Sequence, residues 1–485
     1  MDYYIGIDIG TSSTKAVAFS AGGDIVATVA AAYGIQHPRD NYSEQDPAEI
    51  LQAVINSIAG LTEKCADDNP VLIGFSAAMH SVLAVDPNGQ PLTGCIIWAD
   101  NRAGEIATRL RDTTTGKSFY HKTGVPIHAM SPFCKLLWLK ENNPEVFNRA
   151  HKFIGIKEYV FYGLFGSWLV DTGIASATGL LNIHTLQWDA DILEYAGIQS
   201  QQLSTVTSAT HQEYLGKQGL YSKDKRLGRV NKTPFIIGGS DGALANLGSG
   251  AVSEQAMAIS IGTSSAVRIV SSEVYTDEQM RTFCYHLAGN QYIIGGAGNN
   301  GAVVLQWLKD TLLQTTETYA QLVEQAEKIK AGCDGLIFVP YILGERAPIW
   351  DSNAKGMFFG LTITHTKAHL VRAVMEGVAY SVYSIGRILQ EKRNITEIHA
   401  TGGFTQSPLW PQMVCDLFNC ILFVSGAVES SAAGAVKIGL DALRIKTSWL
   451  PETTGSFRPN LQLHQIYLRQ FEKYERLYPL LKQEF

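Results

Sequence analysis

Asp8 stands near the end of an apolar run, Tyr4-Ile5-Gly6-Ile7, and is followed after Ile9 by Gly10-Thr11-Ser12-Ser13-Thr14-Lys15. A turn rich in free N–H groups and hydroxyls is a nest for phosphate, and Lys15 adds positive charge. A carboxylate at a strand end can hold Mg²⁺ directly or through water, because that ion keeps several waters and needs few carboxylates. The same residues also suit a plain hairpin turn capped by its own hydroxyls. The stretch is not a P-loop, since it lacks GxxxxGK[ST].

The turn occurs twice. Ile7-Asp8-Ile9-Gly10-Thr11-Ser12-Ser13 returns as Ile259-Ser260-Ile261-Gly262-Thr263-Ser264-Ser265, 252 residues later in a chain of 485. Each copy lies between β-type stretches, Ala16-Val17-Ala18-Phe19 following the first and Ala266-Val267-Arg268-Ile269 the second. Two such hairpins at half-chain spacing predict two similar domains facing each other across a cleft. Asp8 is replaced by Ser260 in the second copy, which suits one Mg²⁺ held at one turn.

Asp241 follows the strand-like Phe235-Ile236-Ile237 and a Gly-Gly-Ser turn. A carboxylate there can accept the proton of an attacking hydroxyl, although Asp-Gly is also an ordinary turn. Gly402-Gly403, after Ile398-His399-Ala400, would let a flat ring lie against the backbone. A similar glycine-rich stretch ending at Gly301 opens a helix carrying Gln306 and Trp307. Met79-His80 and Trp98-Ala99-Asp100-Asn101-Arg102 each follow a strand. Carboxylate, amide, guanidinium and an aromatic face together suit a polyol, and Arg102 or His80 suits a substrate carboxylate. The bland readings are core packing for Trp98 and a polar turn for Asp100-Asn101.

These residues need strands and helices to present them. A third strand is expected at Ile25–Val29, and a helix over Pro47–Leu61 with Asp46 as N-cap and Pro47 at N1. Further strands are expected at Val71–Phe75, Val82–Val85, Tyr292–Ile294 and Leu336–Val339. Helices are expected at Gly301–Leu312, Lys367–Leu389 and Pro408–Phe418. The class is α/β with mixed sheets. The halves 1–245 and 246–485 are expected to meet at a short hinge near 242–252. The net charge of −6 gives no basic field for nucleic acid. No run of 18 apolar residues predicts a membrane span, and no leader precedes the first strand. The seven cysteines contain no CxxC, and Cys95, Cys134, Cys284 and Cys415 read as small core side chains in a reducing compartment, so cytoplasm is the expected compartment.

At these positions the chain resembles the FGGY carbohydrate kinases, of the actin-like ATPase superfamily. One family signature is matched by Met130-Ser131-Pro132-Phe133-Cys134-Lys135-Leu136-Leu137-Trp138-Leu139-Lys140-Glu141-Asn142. Another is matched by Gly356-Met357-Phe358-Phe359-Gly360-Leu361, with His369-Leu370 and Ala373-Val374-Met375-Glu376 following. The resemblance implies two ribonuclease-H-like domains with ATP, Mg²⁺ and a sugar between them. It implies that Gly10 to Lys15 form the first phosphate loop with Asp8 at the metal, and that Gly262, Thr263 and Ser264 form the second. Gly301, Gln306, Gly402, Gly403 and Gln406 are then nucleotide contacts and Asp241 the base. Met79, His80, Trp98, Asp100 and Arg102 fall at the sugar. Ala302 departs from the glycine usual four residues before the glutamine. Phe75–Ser81, Trp98–Arg102 and Gly155–Tyr159 look most like the gluconate-specific branch, with xylulose kinases nearby. An actin-like scaffold or chaperone is the rival from another class. Kinases of this family often dimerise, and no stretch identifies an interface.

Overall fold

The computed structural model describes residues 2–216, 218–426, 429–447, 449 and 452–485; Met1, where the strand pattern starts, lies outside them. β1 (Asp2–Ile9), β2 (Ser13–Phe19) and β3 (Ile25–Ala32) form an antiparallel meander. α1 (Pro47–Lys64) begins where the Asp46 carboxylate accepts from the N–H groups of Ala48 and Glu49, and it packs on β2 and β3. β4 (Asn69–Ala77) then returns parallel to β1. An excursion carrying α2 (Pro132–Asn142) and α3 (Ile156–Phe165) leads to β5 (Gln212–Glu213) and β6 (Phe235–Ser240). The first sheet has the order β5-β6-β4-β1-β2-β3.

α4 (Asp241–Ser249) leads into the second half, which contains β7 (Ala256–Ile261), β8 (Ser265–Ser271), β9 (Phe283–Ala288) and β10 (Gln291–Gly298). A helix at Val303–Trp307 runs on into a π-turn at Leu308–Leu312. α5 (Lys367–Gln390), β11 (Glu397–Thr401), α6 (Leu409–Phe418) and β12 (Ile421–Ser425) follow. α7 (Ser430–Ala442), β13 (Thr453–Phe457) and α8 (Leu461–Leu481) complete it. The second sheet has the order β9-β10-β8-β7-β11-β12-β13.

The two sheets repeat one topology. β7 pairs antiparallel with β8 and parallel with β11, as β1 does with β2 and β4. The series β3-β2-β1-β4-β6 therefore corresponds to β10-β8-β7-β11-β12, and the short sequence repeat marks a repeated fold. Both units have the ribonuclease-H-like arrangement of the actin-like ATPases, within the expected α/β class.

The expected hinge near 242–252 is mostly helix, because Asp241-Gly242 opens α4 rather than a turn; α4 stops at Gly250, whose φ is 83°. The strand expected at Val82–Val85 is present as Leu83–Val85, paired with Lys152–Ile154 outside the main sheet. α7 belongs to the second half of the chain but lies on the first sheet, against β4 and β1, and crosses α4. Glycines permit that approach. A Cβ on Gly434 would stand 2.0 Å from the Leu244 carbonyl oxygen, and one on Gly248 1.9 Å from that of Ser430. At Gly6 and Gly74 a Cβ would meet the Ala432 and Ala435 carbonyl oxygens at 2.3 Å.

Two consequences can be measured. Gly434→Ala should force α4 and α7 apart and lose about 1–3 kcal/mol in urea unfolding, the usual cost of overpacking, despite alanine's better helix propensity. The second concerns Glu158, whose carboxylate accepts from the Gly155 N–H at the start of α3. Burial pushes this carboxyl from 4.5 up to about 7. Its raised native pKa gives stability that is complete below 4.5 and is lost as pH rises through 7. Glu158→Gln should therefore gain stability relative to the parent between pH 5 and pH 8; a gap independent of pH would refute this.

Candidate active site

The two repeated turns are tight and tied down from behind. The Gly10 N–H donates to the Ser13 carbonyl (3.0 Å), and the Gly262 N–H to that of Ser264 (2.9 Å). In the first turn, Tyr33 Oη donates to the Gly10 carbonyl (2.7 Å) and Gln45 Nε2 to that of Thr11 (2.7 Å). The carbonyls are thus engaged, whereas the N–H groups of Thr11 and Ser12 make no backbone bond among the described residues. In the second turn, the Gly262 carbonyl accepts from the Ala302 N–H (2.6 Å) and the Thr263 carbonyl from the Gly301 N–H (3.1 Å). Both turns keep a polarity suited to anions.

Several expected phosphate contacts sit behind these turns. Thr14 is fully buried and its hydroxyl lies 3.4 Å from Tyr33 Oη. Lys15 does not reach toward its turn but pairs with Glu429 at 2.9 Å. Gly301 is buried under the second turn, where a Cβ would meet the carbonyl oxygens of Gly262 and Ser264 at 2.5 Å. It shapes the loop from below, and Ala302 completes that support. Gly402, with φ at 105°, has no room for a Cβ beside the Ile261 carbonyl, while Gly403 faces open space. Gly402, Gly403, Gln406 and, on its helix, Gln306 are exposed near the second turn, leaving a surface for a flat ring.

Asp8, near the end of β1, and Asp241, directly after β6, are half-buried. Ser76 Oγ donates to Asp8 Oδ1 (2.8 Å). Burial, then the neighbouring Asp241 charge, pushes the Asp8 carboxyl up to about 6. Burial also raises Asp241, against the pull of Arg268. Asp241 is the first residue of α4, and its backbone carbonyl accepts from Ser431 Oγ at the start of α7 (3.2 Å). Lys157 Nζ donates to the Gly239 carbonyl (3.0 Å) and forms a buried ion pair with Asp171 (2.6 Å). It fixes the strand end just before Asp241.

The sugar-side candidates separate into two groups. Trp98 Nε1 donates to Thr11 Oγ1 (2.9 Å), joining it to the first turn. Met79 packs against both domain cores, and His80, at φ 67°, is buried with Nδ1 on the Ala177 carbonyl (2.8 Å). Burial pulls His80 down to about 3, so its ring is neutral at physiological pH. Asp100 and Arg102 point elsewhere. Arg102 Nε and Nη2 each hold Asp100 at 2.8 Å, Nη2 also holds Glu44 at 2.5 Å, and the guanidinium lies 3.9 Å over the Tyr42 ring. Asp100 in addition accepts from the Ser43 N–H (2.6 Å). Arg102, one of the residues the sequence offers to a substrate carboxylate, is thus already engaged by two carboxylates of the chain.

Sequence reasoning missed Arg268, Tyr285, Lys135 and Arg346 as parts of this site. Lys135 Nζ donates to the carbonyls of His80 (2.7 Å) and Ile97 (2.8 Å), bracing the His80 and Trp98 loops from behind. Arg346 lies 4.7 Å over the Trp98 ring. A lone arginine in the apolar strand Ser265–Ser271 was the available signal for Arg268.

Comparisons with known proteins agree with this architecture. Residues 3–248 match the N-terminal domain of the FGGY family of carbohydrate kinases, and residues 257–443 match its C-terminal domain. A gluconokinase from Bacillus licheniformis is 43% identical over 451 residues, spanning 91% of this chain and 87% of that one. The crystal structure of gluconate kinase from Lactobacillus acidophilus superposes with a TM-score of 0.94 at 34% identity, covering 99% of this chain and 98% of that one. That of ligand-bound xylulose kinase from the same organism gives 0.94 and 34%, covering 99% of each. With both halves of the fold and both turns matched, this chain belongs to the FGGY family of carbohydrate kinases.

Proposed function

We propose that this chain is a gluconate kinase, transferring the γ-phosphoryl group of ATP to the terminal hydroxyl of gluconate. The observation that carries the reading is the pair of neighbouring, desolvated carboxylates, Asp8 and Asp241, beside two turns whose polarity suits anions. The 43% identity with a gluconokinase supports the substrate. In this reading residues 1–245 hold the sugar and residues 246–485 the nucleotide.

Gly262, Thr263 and Ser264 receive the nucleotide phosphates from one side, and Gly10 to Ser13 the transferred group from the other. Gly402, Gly403 and Gln406 flank the adenine. Two desolvated carboxylates fit Mg²⁺, which needs one or two such ligands. When bound near Asp8, the ion would neutralise phosphate charge. Met79, His80 and Trp98 line the sugar, whose terminal hydroxyl is directed to Asp241. The substrate O–P bond forms as the bond from the γ-phosphorus to the bridging oxygen breaks. The hydroxyl proton passes to the Asp241 carboxylate and ADP departs. Burial raises the basicity of Asp241 for this task. Closure of the cleft excludes water that would otherwise accept the phosphoryl group. Seven buried, unbonded thiols support a cytoplasmic setting.

A neutral ketose is the second reading, favoured by the likeness to the xylulose kinase structure. A coupled ADP assay with Mg-ATP and gluconate, xylulose, ribulose, glycerol or no acceptor decides between them. Selective turnover of gluconate to 6-phosphogluconate is expected; equal or better turnover of a ketose would overturn the substrate, and acceptor-independent ADP release the kinase reading. Asp241→Asn should lower kcat by a factor of about 10² to 10⁴ with KM little changed, and undiminished turnover would remove Asp241 as the base.

A further inference from the structure

The cations around the cleft are mostly accounted for. Arg102 is held by Asp100 and Glu44, Lys157 by Asp171, and Lys15 by Glu429. Lys135 is bound to backbone carbonyls, and His80 is neutral. Arg268 and Arg346 remain. Neither forms an ion pair with a carboxylate among the described residues, and Arg268 makes no side-chain hydrogen bond there. Arg346 has one, from Nη2 to the Gly298 carbonyl (3.2 Å). The neighbouring Glu345 carboxylate is already occupied, accepting from the N–H groups of Asn299 and Arg346 and from Asn300 Nδ2.

Three polar atoms here are buried without a partner: Arg268 Nε, Arg346 Nε and Tyr285 Oη. They belong to one neighbourhood, since both guanidinium charges act on the Tyr285 hydroxyl. Each group is also seated against a residue of the sugar side. Arg268 Nη2 lies 2.9 Å from where a Cβ on Gly242 would stand, directly after Asp241. Arg346 covers the Trp98 ring at 4.7 Å, and Tyr285 meets the His80 ring edge-on at 5.8 Å. Buried donors without acceptors are costly unless a ligand supplies the acceptors. Guanidinium groups suit a planar, two-oxygen anion.

We propose that Arg268, Arg346 and Tyr285 together form the receptor for the carboxylate of a sugar-acid substrate. The proposal rests on the gluconate reading above and explains how this site would select an aldonic acid over a neutral sugar. A carboxylate brings acceptor oxygens and a negative charge to three donors; a hydroxymethyl group in its place brings no charge and one hydroxyl. Because the donors come from β8, β9 and the segment after Leu343, the second half of the chain would grip the far end of a sugar lying on the first half. Substrate binding would therefore draw the halves together.

The test compares gluconate with D-glucitol, in which CH₂OH replaces the carboxylate, using the parent, Arg268→Gln and Tyr285→Phe. Loss of one charged hydrogen-bonding partner corresponds to about 10- to 150-fold. Arg268→Gln should lower the preference for gluconate over D-glucitol in kcat/KM by about that factor, mainly through the KM for gluconate, with the KM for ATP nearly unchanged. Tyr285→Phe should act in the same direction by about 10-fold, and it keeps the ring if the arginine variant fails to fold. Calorimetric titration with gluconate alone should show the same loss of affinity. Equal loss of kcat for both acceptors, or a raised KM for ATP, would place Arg268 with Asp241 or the phosphates and overturn the proposal. If the parent itself shows no preference for gluconate, the substrate reading fails; if the parent prefers gluconate and both variants keep that preference, the receptor alone fails.

Discussion

Everything at this site depends on how closely α7 can approach α4 and the first sheet. Asp241 is the first residue of α4, so the position of that helix sets the position of the carboxylate. Gly248, Gly434, Gly6 and Gly74 remove the side chains that would hold the backbones apart. Without Cβ atoms there, carbonyl oxygens of one helix can lie against Cα atoms of its neighbours. This contact also crosses the chain division, because α7 follows β12 of the second sheet yet rests on β4 of the first. The hydroxyl of Ser431, early in α7, reaches the Asp241 carbonyl, so the packing and the chemistry share one element.

The second constraint is electrostatic. Burying charge costs several kcal/mol per ion unless a partner or ligand compensates. Around the cleft the described charges fall into two sets. Lys157 with Asp171, and Arg102 with Asp100 and Glu44, compensate one another and act as rigid supports. Asp8, Asp241, Arg268 and Arg346 are not paired off in that way. Uncompensated groups of this kind persist where a ligand completes them. In this division Arg102, an arginine in a polyol-like cluster, is held by two carboxylates, whereas Arg268, an arginine in an apolar strand, is held by none among the described residues.

Much of the fold was legible because its signals are local. The Gly-Thr-Ser-Ser repeat, the Asp46-Pro47 helix start and the strand before Asp241 each lie within a few residues, and each appears in the structure close to its expected place. The signatures at 130–142 and 356–376 likewise led to the family. What was not legible involves partners distant in sequence. Lys15 reads as a phosphate ligand until it is seen beside Glu429, 414 residues away. Arg102 reads as a substrate group until Glu44, 58 residues earlier, closes on it. The α4 segment reads as a hinge for want of any longer linker between the halves, whereas it is a helix whose Gly248 lies against the start of α7. No local pattern could reveal that Lys135 braces two loops through their carbonyls.

The repeated fold also explains how the cleft acquired opposite charges on its two walls. At matched positions of the repeat, Asp8 on β1 corresponds to Ser260 on β7, and Arg268 on β8 corresponds to Ala16 on β2. Ala16 is fully buried in the first core, while Arg268 has part of its surface open. One copy thus carries the carboxylate and the other the guanidinium, on strands that share one pairing pattern. A symmetric pair of turns suffices to hold phosphate from both sides, since backbone N–H groups do that work in either copy. The proposed metal and the proposed carboxylate receptor would call for side chains of opposite sign, and two identical walls would not supply both. Asp8/Ser260 and Ala16/Arg268 are two of the many matched positions at which the halves differ, and the two at which a charged side chain on one copy faces an uncharged one on the other beside the turns.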